Sequence, residues 1–116
     1  MKIVFTATGT GWEDKIDPRF GRAEYLLIFD EDTNKMINID NRNIQSVEHG
    51  AGSKTAQLLF EHKPDVLITG NGPGGNALNL LSRLKINIYV GAAGMTVQEA
   101  YDAYKNNKLK KGESYA

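Results

Sequence analysis

The sequence predicts an α/β domain with a five-stranded mixed sheet. Three observations lead there. The first forty residues hold three β-rich runs and no helical period. From there to residue 105, helical and strand patterns alternate. Both of the later strand-to-helix junctions carry glycine. The predicted order is β-β-β-α-β-α-β-α, a hairpin meander followed by right-handed βα units.

Lys2-Ile3-Val4-Phe5-Thr6-Ala7-Thr8 is rich in β-branched and aromatic residues and ends at Gly9-Thr10-Gly11, which makes it strand one. A polar loop over 9–23 carries Trp12 and Pro18. Tyr25-Leu26-Leu27-Ile28-Phe29 is a continuously apolar second strand, and the short polar turn at 30–34 makes a hairpin with Lys35–Asp40. That third strand alternates polar and apolar, as an edge strand with one wet face does. After a loop over 41–52, a helix is expected from Ser53 to His62, with Ala56, Leu59 and Phe60 inward and Pro64 as its stop. Strand four covers 65–69, the second helix 77–84 and strand five 86–90. Thr96-Val97-Gln98-Glu99 is a capping-box signature, and Val97, Ala100, Tyr101 and Tyr104 recur at helical spacing behind it. His62, at the end of the first helix, reads as a structural residue suited to the dipole. One domain is expected over 1–108, with a flexible lysine-rich tail at 109–116.

The totals exclude several functions. Fourteen basic and fourteen acidic residues cancel, which argues against a general nucleic-acid or membrane-surface binder. With no cysteine there is no disulfide framework, thiolate nucleophile or cysteine-ligated metal. No apolar run is long enough to span a membrane, and the chain begins directly in a strand, so a cytoplasmic protein is expected. A monomer or weak homo-oligomer is the expected state.

Loop length locates the site. If strands one, three, four and five point one way and strand two returns, the connections 9–23, 41–52, 70–75 and 91–95 gather at one end of the sheet. The other end has only tight turns near 30–34, 63–64 and 85. Long loops at the carboxyl ends of parallel strands are where open α/β sheets bind ligands. The central feature there is Thr69-Gly70-Asn71-Gly72-Pro73-Gly74-Gly75-Asn76-Ala77, between a buried strand and a helix start. Glycine bares backbone N–H groups and a helix start adds unpaired donors, so the stretch reads either as an anion cradle or as a plain strand-to-helix turn.

The strand order resembles the ribonuclease H topology, but two-metal nuclease chemistry needs carboxylates on strand one and on its neighbours. Strand one has none, Asp65 opens strand four at the wrong end, and Glu13, Asp14 and Asp17 lie in a loop without acidic partners. Ser46, Ser53, Ser82 and Ser114 lack a nucleophile-elbow context. The candidates that remain are donors, cations and soft ligands. Gly72, Gly74, Gly75 and Asn76 would supply backbone and amide donors. Gly50, Gly52 and Gly94 mark the neighbouring turns, and Arg19 and Arg22 flank Phe20-Gly21. His49 is the best direct metal ligand and Met95 a distant second, although a lone histidine also suits a solvated or capping role and a methionine suits core filling.

Arg19-Phe20-Gly21-Arg22-Ala23, Gly50-Ala51-Gly52, Thr69-Gly70 with Gly72-Pro73 and Asn76-Ala77, and Gly91-Ala92-Ala93-Gly94 occur in that order. Together they resemble the dinitrogenase iron–molybdenum cofactor biosynthesis family, the NifX-like proteins that also resemble the C-terminal domain of NifB. The likeness covers about residues 1–108. It implies a three-layer α/β/α, ribonuclease H-like fold and a non-enzymatic protein of nitrogen-fixation-related metal-cluster assembly. Such a protein would carry an iron–sulfur or iron–molybdenum-type cluster as transient cargo between assembly proteins. Some members have His before Phe-Gly-Arg, where this chain has Arg19. Two alternatives stay open: a phosphate- or nucleotide-like anion-binding module, and a ligand-free interaction domain that uses Trp12 and the long loops.

Overall fold

Val4, Leu26, Ile28, Leu67 and Ile88 are buried against one layer of helices, while Ile3, Phe5, Leu27, Phe29 and Ile68 are buried against another. Strand residues alternate between faces, so continuous apolar strands require cover on both sides. The computed structural model, which describes residues 1–43 and 50–112, supplies that cover. Its strands are β1 (Lys2–Ala7), β2 (Tyr25–Asp30), β3 (Lys35–Asp40), β4 (Val66–Ile68), β5 (Asn87–Val90) and β6 (Lys110–Lys111). Its α-helices are α1 (Ala51–His62), α2 (Gly75–Leu81) and α3 (Val97–Lys105). A 3-10 turn, Ser82–Leu84, follows α2. The first apolar layer packs on α1 and α2 through Ala56, Leu59, Leu78 and Leu81. The second packs on α3 through Val97 and Ala100.

The sheet order is β3-β2-β1-β4-β5-β6. β1 pairs parallel with β4, and β4 with β5. β2 is antiparallel to both β1 and β3. Strands β1, β3, β4 and β5 therefore point the same way, and the long loops share one end as expected.

The sixth strand corrects the expected five. Lys110–Lys111 lie just past the expected domain end at 108, yet they pair antiparallel with Tyr89–Val90. Residues 113–116 of the expected tail lie outside the described residues. Two helix bounds also move. α1 starts two residues early, with Gly50 as its N-cap in the left-handed region at φ 79°. α2 takes in Gly75 and Asn76 but lasts only seven residues. α1 ends as Lys63 turns left-handed, its N–H donating to Leu59 O just before Pro64. The capping box on α3 forms: Thr96 Oγ1 accepts from Glu99 N at 3.1 Å and Glu99 Oε1 from Thr96 N at 2.9 Å. Among the described residues no helix is long and apolar enough to cross a membrane.

Trp12 has a packing role that its polar loop did not suggest. The 8–16 segment folds back on the sheet, with Thr8 N donating to Lys15 O and Ile16 bridging Ala7. The indole then packs edge-on against Phe29 (5.0 Å), Tyr101 (5.7 Å) and Phe5 (6.0 Å). It is half-buried and packs against the α3-side core, so part of this loop residue is taken up by the fold.

Candidate functional site: a glycine-lined cleft at the carboxyl ends of β1 and β4

The site rests on Asp17, whose side chain is 1% exposed. Its carboxylate accepts from Arg19 N (3.0 Å), Arg19 Nε (3.1 Å), Arg19 Nη2 (3.1 Å) and Glu24 N (3.1 Å). Burial alone would push the carboxyl pKa up. The Arg19 side chain and the two backbone N–H groups outweigh it and hold the group below its ordinary value. The Asp17 backbone is tied in as well. Its N–H donates to Thr6 O, and Thr6 Oγ1 donates to its carbonyl, each at 2.9 Å. Thr6 Oγ1 also shares a hydrogen bond of 2.8 Å with Thr69 Oγ1. One buried acid thus fixes the 17–24 loop to the ends of β1 and β4.

From that anchor the loop runs over the start of α1. Phe20 fills the α1/α2 core. Gly21 lies so close to α1 that a Cβ there would stand 2.5 Å from Gly52 N and 2.6 Å from Gly52 Cα. Gly21 O accepts from Thr55 Oγ1 (2.9 Å), and Asn41 Nδ2 reaches Ala23 O (2.9 Å). The third wall is the glycine loop, joined to the first by Asn71 N donating to Pro18 O at 2.8 Å. The result is an open cleft of about 390 Å³. Arg19, Arg22, Gly52, Asn71, Gly72 and Gly74 are the lining residues that bear on its chemistry.

Five sequence-predicted site residues therefore meet: Arg19, Arg22, Gly52, Gly72 and Gly74. Gly75 and Asn76 open α2 beside them. Gly50 stays at the α1 cap, outside the lining. Two candidates fall elsewhere. Gly94 forms the left-handed turn before α3 (φ 88°), where its carbonyl accepts from Lys15 Nζ at 3.2 Å. Met95 is half-buried and packs against the α3-side core, on the opposite face of the sheet from the cleft. His49 lies outside the described residues. Arg19 also changes character. Its guanidinium spends a bidentate pair on Asp17, which raises its pKa and reduces the charge it can offer a guest.

Sequence reasoning missed Asp17 as the anchor and Asn71 as a lining amide. Asp17 did leave a signal. An aspartate followed by proline readily accepts from the N–H two residues on, as it does here from Arg19 N. Chemically the cleft offers backbone donors, an amide and guanidinium groups. Among the described residues no group of three or more His, Cys, Asp or Glu could hold a metal ion. The residues suit an anion held by hydrogen bonds and charge, and do not suit a cluster held by thiolates.

Every described element of this cleft falls within residues 1–107, which match the family described as dinitrogenase iron-molybdenum cofactor. The chain belongs to that family. Among solved structures it is similar to the apo form of the orange protein from Desulfovibrio gigas, at 32% identity and TM-score 0.89, covering 97% of this chain and 93% of that one. It is also similar to the NMR structure of a candidate NifB protein from Thermotoga, at 29% identity and TM-score 0.83, covering 99% and 96%. No curated protein matches the chain. The resemblance drawn from the four glycine and arginine motifs is thus the family found by comparison.

Proposed function

We propose that the protein is a non-catalytic, cytoplasmic carrier. Its cargo is an anionic iron–sulfur or iron–molybdenum-type cluster, or a precursor of one, held transiently and passed between cluster-assembly proteins. We read its sheet order as ribonuclease H-like with one strand added.

One observation carries the reading. Gly21 and Gly70 are required by packing, since a Cβ on either would stand 2.5 Å from a neighbouring backbone atom. Gly50, Gly91 and Gly94 are required by positive φ. Gly72 and Gly74 are required by neither. A Cβ on Gly72 would come no closer than an ordinary 3.7 Å contact with Val90, and one on Gly74 would meet open space. Both line the cleft. Side chains left out where the fold has room for them leave backbone N–H groups bare to a guest. The guest is anionic because, among the described residues, the lining carries arginine and no acid. Family membership and the apo form of the similar orange protein favour a cluster as that guest. His49 stays the proposed direct ligand on sequence grounds alone.

The test is anaerobic. The metal-free protein is incubated with an iron–sulfur cluster precursor and desalted, and iron per chain is read beside the visible absorbance. Stoichiometric iron is expected, falling in Gly72→Ala and Gly74→Ala although both variants keep their stability. Equal retention by these variants and the wild type would remove the cleft from the account. The lack of a three-ligand set among the described residues favours one other reading, a phosphate- or nucleotide-like anion on the same donors. Phosphate that stabilises the protein thermally and blocks iron uptake would select it. Trp12 is half-buried against the α3-side core, so the ligand-free interaction reading would rest on its remaining exposed part and on the long loops.

A further inference from the structure

Among the described residues, the two edges of the sheet are finished differently. β6, at one edge, is only two residues long and both are lysine, which blunts it against pairing with another chain. β3, at the other edge, runs six residues in unbroken register with β2, without proline or bulge. Its hydrogen-bonding phase follows from the strand ends. Asn41 N donates to Glu24 O at 2.9 Å, and on the far side of β2 Glu31 N donates to Met1 O at 3.0 Å. Bonded pairs alternate along an antiparallel ladder, so Lys35, Ile37 and Ile39 bond to β2. Met36, Asn38 and Asp40 then turn their N–H and C=O groups to the open edge. The side chains alternate in step. Ile37 and Ile39 lie opposite Ile28 and Leu26, on the α1/α2 side. Ile39 packs onto the core there, but Ile37 is 50% exposed, the greatest exposure of any bulky apolar residue described.

We propose that β3 is a self-pairing edge, on which a second copy of this chain lays its own β3 antiparallel and joins the two sheets into one. A two-fold axis perpendicular to the sheet keeps every residue on its own face. The axis must therefore pass through a residue and not between two. An axis through Asn38 uses the whole open edge. Asn38 bonds to Asn38 of the second copy, and Met36 of each copy bonds to Asp40 of the other, which makes about six main-chain hydrogen bonds. Moving the axis one residue either way would bring in Asn34 or Arg42, and both lie outside the strand. With the axis at Asn38, Ile37 faces Ile39 of the second copy in the narrow pairs where side chains approach most closely. The exposed Ile37 is then covered. No like charges face one another: Lys35 meets Asn41, and the acidic turn at Asp30, Glu31 and Asp32 comes alongside the strand end that carries Arg42. A strand of this length buries less than the about 1,600 Å² of a standard stable interface, so the pairing is weak and reversible. None of the residues lining the glycine-lined cleft lies on β3, so both clefts stay open and the inference stands apart from the carrier reading.

Sedimentation equilibrium of the metal-free full chain tests the pairing. The wild-type mass should rise from 12.8 kDa toward twice that value between about 10 μM and about 1 mM. Ile37→Glu, at an exposed site, should weaken association at least about tenfold, because its carboxylate would lose water against Ile39 of the second copy. Asn38→Pro removes an N–H that β2 does not use. It should abolish association while the circular dichroism and the unfolding midpoint stay near those of the wild type. The chain has no cysteine, so a single introduced thiol reports the register. On mild oxidation Asn38→Cys should form a disulfide-linked dimer, since the residue faces itself at a Cα separation of about 5.5 Å. Lys111→Cys, on the blunted edge, should stay monomeric. A wild type that stays at 12.8 kDa throughout, Ile37→Glu associating like the wild type, or Lys111→Cys cross-linking as readily as Asn38→Cys would each overturn the pairing. The first of these would leave the open edge to a strand from another protein.

Discussion

The helix starts on the two faces of the sheet are finished in opposite ways. On the α3 face, Thr96 and Glu99 close a capping box, and Phe5, Trp12, Phe29 and Tyr101 interlock over the strands. Tyr101 Oη donates to Glu31 Oε2 at 2.6 Å, and that bond raises the phenol pKa to about 12. On the other face, α1 and α2 start behind Gly50 and Gly74, and neither has a side-chain cap. An N-cap side chain consumes donors that a helix start would otherwise present. The α3 face is therefore finished for stability, while the α1/α2 face leaves its backbone open next to a cleft. On the carrier reading, stability and binding would occupy different faces of one sheet.

If so, substitutions should separate stability from cargo retention. Trp12→Ala should have the largest effect on stability, about 3 kcal/mol by denaturant unfolding, because it empties an aromatic cluster. Cargo retention per folded chain should not change. Gly21→Ala should cost about 2 kcal/mol by forcing backbone apart, and should also lose cargo, since Gly21 seats the loop on α1. Asp17→Asn should cost about 1–2 kcal/mol by weakening bonds to Arg19 and Glu24. Its pH dependence has a definite sign. The folded pKa of Asp17 lies below the ordinary 3.8, so its contribution is fully present above about pH 4 and fades as pH falls through the folded value. The stability gap between wild type and Asp17→Asn should accordingly narrow on acidification. Gly74→Ala should have the smallest effect on stability, within about 0.5 kcal/mol, because its Cβ meets nothing. It should nevertheless lower iron retention. A Gly74→Ala variant that unfolds readily would erase the contrast between the faces.

Much of this division was legible in the sequence wherever the signal was local. β1, β2, β3 and the capped α3 follow from β-rich runs, a short hairpin turn and the Thr96–Glu99 spacing. Glycine-bearing turns and long loops at one end located the cleft. What escaped depends on distant partners. β6 is two lysines with no apolar period, and it exists because β5 offers an edge and Gly112 lets the chain approach closely. Trp12 sits in a polar loop whose fold-back depends on bonds to β1, such as Asp17 N to Thr6 O. Asp17 looked like a stray loop acid because only the folded chain surrounds it with donors. Met95 and Gly94 lie in a glycine turn like the others, but the sequence could not show that this turn sends its side chains to the other face.

The most direct measurement is a backbone amide map. Two-dimensional NMR spectra of the uniformly ¹⁵N-labelled chain would be recorded anaerobically before and after a stoichiometric diamagnetic cluster is added. The account predicts that the perturbed amides fall at residues 19–22, 51–52 and 71–74, while Trp12 and α3 stay in place. Perturbation centred on α3 or the aromatic cluster, or spread evenly over both faces, would contradict it.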